Sequence, residues 1–294
     1  MTPRVVFSPD YAVDYGGHSF AADKFRLAAE ALKGAVELVA PAEPSRDDLL
    51  LAHDAAWTDK VLSSSLTEAD LKRLELPFSP EISRAHRLAV GGTVLAARHA
   101  LETGTGLHCG GGAHHAFRGH GEGYCALNDL AVAILKLRAE GRLSRAAVVD
   151  LDVHQGNGTA AIFSGDAAVF TFSMHQGDLY PEMKERSSLD VELRAGTGDA
   201  EYYDALRRSL RAVMDFKPDL VLYQAGADPW EKDRLGGLKL TEIGLLERDR
   251  AVRETCALHG VPVAVTLGGG YGPTPADTAR LHARTLSLFA GQRV

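Results

Sequence analysis

Short runs of β-branched and other apolar residues recur along the chain, at RVVF (4–7), VELVA (36–40), AAVVDLDV (146–153), AVFTFSM (168–174), DLVLYQAG (219–226) and VPVAVTL (261–267). Runs of this length, apolar over most of their course, predict strands buried on both faces. Between them the apolar residues repeat at helical spacing, at 22–33, 81–103, 126–140, 200–215 and 241–259, and a last such stretch follows at 275–290. Strands alternating with helices predict right-handed crossovers. The expected architecture is therefore α/β, one three-layer α/β/α domain over residues 1–294 around a mainly parallel sheet. Ligands in such sheets bind beyond the carboxyl ends of the strands.

The unusual residues fall at those ends. Asp152, His154, Gly156 and Asn157 follow the run at 146, His175 follows the run at 168, Asp228 the run at 219, and Gly268, Gly269, Gly270 and Tyr271 the run at 261. Four strand ends are thus expected to face one crevice. Asp150, Asp152 and His154 stand at every second position, which on an extended segment means one face. Three polar side chains crowding the end of a core strand are costly unless a cation or substrate satisfies them.

Asp152, His154 and Asp228 offer two carboxylates and an imidazole, a set that suits a divalent metal with one position left open. The plainer alternative is that DxDxH only makes turn and cap contacts. In GGGAHHAFRGHGEGYCALND (110–129), adjacent His114 and His115 follow three glycines in a loop expected between the helix ending near 103 and the one starting near 126. Imidazole is the natural proton carrier near neutral pH. LGGGYG (267–272) lacks the lysine of a phosphate-binding loop and reads as a mobile loop carrying Tyr271, whose hydroxyl could donate to an oxyanion.

Taken together in this order, GGGAHHAFRGHGEGYCALND, DLDVHQGNGT, AGADPWEKDRLGGL and LGGGY resemble the zinc-dependent histone deacetylase family, with its arginase-like α/β fold. DLDVHQGNG, GDLYPE and DRLGGLKLT look closest to the class IV histone deacetylases and their bacterial relatives. The resemblance implies one Zn²⁺ per chain held by Asp152, His154 and Asp228, polarising an amide carbonyl and acidifying a water. It further implies that His115 takes the proton and returns it to the leaving amine, with help from His114, and that Tyr271 acts on the carbonyl oxygen. Asp150 would hold the His114 ring and share a structural K⁺ with Ser173 and backbone carbonyls of Asp152, His154 and Met174. Tyr124 and Tyr180 would wall a tunnel for an acyl-lysine stem, and Gly110 or Gly111 would offer a carbonyl to the substrate nitrogen.

Asn157 departs from the class I pattern, which has aspartate there. An amide stabilises imidazolium less than a carboxylate does, so His115 is expected to be less basic and more fully neutral than its class I counterpart.

The implied activity is removal of acetyl or other acyl groups from lysine side chains or related primary amines. An acetylpolyamine-type small amide is an alternative substrate, and Fe²⁺ or Co²⁺ an alternative metal. A two-metal ureohydrolase would need a DxHxD stretch where this chain has DVHQG, and an inactive acyl-binding module would not need His114, His115 and Tyr271 together. A net charge of −7 argues against a general nucleic-acid binder. Cys109, Cys125 and Cys256 form no CxxC spacing, and the first residues show no signal-peptide pattern. With no long apolar run, these features lead to an expected cytoplasmic location and no membrane association.

Overall fold

In the computed structural model, which describes residues 2–18, 20 and 22–292, all the strands join one parallel sheet. The strands are β1 (Arg4–Val6), β2 (Glu37–Val39), β3 (Thr105–His108), β4 (Ala146–Asp150), β5 (Val169–Gln176), β6 (Leu189–Leu193), β7 (Leu220–Gln224) and β8 (Val263–Thr266). Their order across the sheet is β2-β1-β3-β8-β7-β4-β5-β6. The helices are α1 (Asp23–Ala31), α2 (Arg46–Leu50), α3 (Ala55–Ser63), α4 (Glu68–Leu74), α5 (Pro80–Thr103), α6 (Asp129–Ala139), α7 (Asn157–Ile162), α8 (Asp199–Asp215), α9 (Glu242–His259) and α10 (Pro275–Phe289).

The strands are apolar on both faces because helices cover both. Ala147 and Val149 of β4, with Val221 and Tyr223 of β7, pack into a core shared with α1, α8, α9 and α10. Their neighbours Ala146, Val148, Leu220 and Leu222 point the other way, into a core shared with α3, α5 and α6. This alternation makes three layers. Helix ends follow local chemistry: Ser79 caps α5 ahead of Pro80, and Gly104 ends it in a left-handed conformation at φ 89°. No helix among the described residues is long and apolar enough to cross a membrane.

The six expected strands are present, but two others are not among the predicted runs. β6 is an edge strand whose alternating LDVEL leaves it half covered. β3 is only TGLH, with a glycine, Gly106, in the middle of it. That glycine lies where a Cβ would come within 1.7 Å of the carbonyl oxygen of Ala96 on α5. The close approach of β3 to α5 requires a residue without a side chain.

Gly106→Ala should lower stability by about 1–3 kcal/mol or more, because only backbone can yield to the added methyl. A urea transition with an unchanged midpoint would show that α5 and β3 are not held this closely.

Candidate functional site

The four central strands, adjacent in the order β3-β8-β7-β4, end at one cavity of about 310 Å³. Asp152, His154, Asp228, His114, His115 and Tyr271 all line it. β3, which carries the His114–His115 loop, thus contributes as well, and the run at 168 reaches the cavity through Leu179 and Tyr180 beyond β5 rather than through His175. His175 remains inside β5, fully buried, with its Nδ1 3.0 Å from Ser173 Oγ, and does not reach the cavity.

β4 also ends sooner than expected, at Asp150. Beyond it the backbone bends, Asp150 Oδ1 accepting from Asp152 N at 3.2 Å and Asp152 Oδ1 from His154 N at 3.0 Å. The turn contacts and the convergence of side chains are thus one structure, because the bend is what aims Asp152 and His154 at Asp228. One ligand atom from each of these three lies within 4.8 Å of the others. His154 Nδ1 stands 3.0 Å from Asp152 Oδ1 and 3.4 Å from Asp228 Oδ2. Asp152 Oδ2 is fixed by Gln224 Nε2 at 2.8 Å and Gly269 N at 3.0 Å, and Asp228 Oδ1 by Val153 N at 2.8 Å.

Two features fit a cation. Asp228 Oδ2 is buried and has no hydrogen-bond partner. A Cβ on Gly269 would fall 2.0 Å from that same oxygen and 2.6 Å from Asp152 Oδ2, so glycine keeps the space between the carboxylates clear. Burial and then the neighbouring Asp152 charge push the Asp228 pKa up to about 7. Burial opposes charge on His154 as well, but the carboxylates of Asp152 and Asp228 beside its ring more than offset it and take it up to about 10. The cluster therefore holds protons that a bound cation would replace.

The two adjacent histidines have opposite environments. His114 Nδ1 lies 2.7 Å from Asp150 Oδ2; although burial disfavours its charge, Asp150 and then Asp152 raise its pKa to about 9. His115 Nδ1 meets the neutral Asn157 Oδ1 at 2.7 Å, and burial, then the charges of His114 and His154, hold it well below its ordinary value. The expectation of a neutral His115 agrees with this direction. The reason is broader than the missing carboxylate, since burial is the leading cause.

Both glycine loops are tied down. Asp129, at the start of α6, accepts from Gly112 N at 2.9 Å and Ala113 N at 2.7 Å, while Thr93 donates to it in turn. The 267–272 loop, expected to be mobile, is instead pinned from several sides. Its Gly268 N donates to Gly111 O at 3.1 Å, and Lys24 Nζ from α1 donates to Gly268 O at 3.0 Å and Gly270 O at 3.3 Å. The Tyr271 ring lies 4.9 Å from Lys24 Nζ. Burial, followed by the charges of Asp228 and Asp152, raises the Tyr271 pKa well above normal, so the phenol keeps its proton.

Tyr180 stands edge-on to His115 at 5.0 Å between ring centroids, and Tyr124 edge-on to Tyr271 at 6.2 Å. Gly110 and Gly111 line the same cavity, but their carbonyls already accept from Leu267 N and Gly268 N. A substrate N–H would be the second donor to either. Ser173 is the register partner of Asp150 across β4 and β5, next to the buried Met174. The three cysteines are free and buried; burial pushes the thiol of cavity-lining Cys125 up, which removes it as a nucleophile. Gln224, Asp129, Lys24 and Glu122 were not singled out from the sequence. Gln224 carried the one visible signal, a polar residue closing an apolar run.

The fold and site define the class: a three-layer α/β protein with a buried carboxylate–imidazole–carboxylate centre at the rim of its sheet. The family model for the histone deacetylase domain matches residues 18–286, and the chain belongs to that family. An uncharacterized protein of Picosynechococcus is 42% identical over 95% of this chain and 95% of its own. Histone deacetylase 2 of Arabidopsis thaliana is 32% identical over 98% of this chain and 79% of its own. The acetoin utilization protein AcuC of Bacillus subtilis is 30% identical over 98% and 83%. Among solved structures, a histone deacetylase homologue complexed with SAHA superposes with a TM-score of 0.85 at 26% identity, over 100% of this chain and 85% of that one. The homologue from Aquifex aeolicus gives 0.83 at 25% identity, over 99% and 84%. The family consists of hydrolases acting on acetylated amides and is generally zinc-dependent.

Because His154 must lose its proton to bind a metal, uptake of Zn²⁺ by the metal-free protein should release protons and tighten as pH rises from 6 to 9. Calorimetry in buffers of differing ionisation enthalpy reads the release directly. Asp228→Asn should abolish stoichiometric uptake, and a variant still holding one ion per chain would remove Asp228 from the ligand set.

Proposed function

We propose that the chain is a single catalytic domain that removes acetyl or other acyl groups from lysine side chains or related primary amines. The observation that carries this reading is the convergence, in one cavity, of the Asp152–His154–Asp228 cluster with two histidines of opposite electrostatic character and a protonated tyrosine. One such cluster occurs among the described residues, which supports a single-metal hydrolase over a two-metal ureohydrolase.

A Zn²⁺ held by Asp152, His154 and Asp228 supplies a Lewis acid for the amide carbonyl and an acidified water. His115, neutral and bonded through Nδ1, has Nε2 available to accept a proton and pass it to the departing amine. His114, kept charged by Asp150, stabilises negative charge as it develops beside it. Tyr271 donates its hydroxyl to the carbonyl oxygen. Tyr124 and Tyr180 flank the alkyl stem, and a Gly110 or Gly111 carbonyl receives the substrate N–H. Asp150, Ser173 and the backbone of Asp152, His154 and Met174 would hold a structural K⁺ at the end of β4.

A second reading, an acylated small polyamine as substrate, is favoured by one feature. The cavity lining carries Glu75 and, among the described residues, no Lys or Arg. A free second amine would be attracted there.

Acetyl-, butyryl- and long-acyl-lysine peptides run beside acetylputrescine should identify the substrate. Turnover should vanish on chelation, return with Zn²⁺, and drop about 10²–10³-fold in Tyr271→Phe. Hydrolysis that survives full metal removal would end the proposal. The pH profile gives a separate check: His115 must be neutral to act, so its low pKa places the acidic limb of kcat/KM below neutrality. Asn157→Asp brings a negative charge to Nδ1, favours imidazolium and should move that limb to higher pH; an unmoved limb would assign it to another group.

A further inference from the structure

Asn157 has two different ends. Its Oδ1 faces His115 Nδ1 at 2.7 Å and Gly158 N at 3.0 Å, while its Nδ2 points the other way, 2.8 Å from Glu122 Oε1. An ionised carboxylate only accepts hydrogen bonds, so the end of the amide that meets Glu122 must be the NH₂. The carbonyl end is then left for His115, and a carbonyl can only accept. His115 must carry its hydrogen on Nδ1, with the lone pair on Nε2.

We propose that Glu122 is a positioning residue for His115, acting through Asn157 to select the imidazole tautomer whose Nε2 can accept a proton. The inference rests on the base role given to His115 above. An aspartate at 157 would need no such partner, since either of its oxygens accepts. An amide can turn over and present NH₂ to the ring; that orientation selects the hydrogen on Nε2, where no proton can be taken up. Glu122, accepting from Nδ2, and the Gly158 N–H, donating to Oδ1, remove this ambiguity, and Glu122 is the one of the two that is a side chain.

Other contacts suit Glu122 to the task. Its backbone is clamped to Cys125 by two hydrogen bonds, Glu122 N to Cys125 O at 3.0 Å and Cys125 N to Glu122 O at 2.8 Å. Its Oε1 also accepts from Tyr180 OH at 2.8 Å, and His120 Nε2 lies 3.5 Å from Oε2. Burial works against its charge, but the bonds from His120, Asn157 and Tyr180 outweigh burial and keep the carboxyl below its ordinary pKa. The tyrosine at the tunnel wall and the amide behind His115 therefore share one carboxylate oxygen.

The test is a double-mutant cycle on the zinc-loaded protein, with ¹⁵N-histidine spectra and thermal stability recorded for each variant. Glu122→Ala should lower kcat about tenfold, the usual scale for removing an outer partner of a site histidine. Glu122→Gln should keep kcat within about threefold, because its amide carbonyl can accept the same two hydrogens. In an Asn157→Asp background there is no amide to orient, and Glu122→Ala should no longer lower kcat. The ¹⁵N shifts of His115, assigned with His115→Ala, should show the Nδ1–H tautomer in the wild type and a mixture in Glu122→Ala. An equal loss in both backgrounds, or a wild-type tautomer in Glu122→Ala, overturns the proposal. Should Glu122→Ala fail to fold, Glu122→Ser goes through the same cycle. A wild type that hydrolyses no acyl amine would sink the deacylase reading alone, since the spectra still decide for or against Glu122.

Discussion

Two carboxylates lie side by side and fully buried at the centre of the sheet, and much of the architecture exists to make that tolerable. Asp152 and Asp228 leave water at a cost of several kcal/mol per ion unless each is compensated. The compensation is built from every neighbouring element: Gln224 at the end of β7, the peptide N–H groups of Val153 and Gly269, and the rings of His114 and His154. The oxygen they leave without a hydrogen bond is Oδ2 of Asp228, which has only the His154 ring nitrogen 3.4 Å away. The remaining demand for positive charge is thereby focused at one point at the floor of the cavity.

From that demand the different characters of the two adjacent histidines follow. One backs onto a carboxylate and one onto an amide, so neighbouring residues of the same type are driven in opposite directions. Opposed environments of this kind are how a site keeps one group charged and another neutral at a single pH. The glycines around them serve the same end, since a methyl group at 269 would occupy the space between the acids and one at 106 would push β3 off its helix.

The layered fold and six of the strands were legible because each is built on an apolar run, with helical periodicity between most of the runs. The metal cluster was legible because its members sit where such runs turn polar. β3 was hidden by its composition, a TGLH stretch with one large apolar residue, and with it the fact that the histidine loop issues from a strand next to β8. His175 was misplaced for a related reason: periodicity does not say where a strand stops, and β5 continues through Gln176. Glu122, Asp129 and Lys24 act through contacts between residues far apart in the chain, and no local pattern marks such contacts. Glu122 lies within GGGAHHAFRGHGEGYCALND, but nothing local to it points to Asn157, 35 residues further on.

The salt-free grip of Lys24 on the carbonyls of Gly268 and Gly270 has a temporal meaning as well. It joins positions 244 and 246 residues apart, so α1 cannot make this contact before the 267–272 loop is in place. Contacts of such long sequence separation form late and slowly. The 267–272 loop, and Tyr271 with it, is therefore locked in place late in folding rather than guiding its early steps.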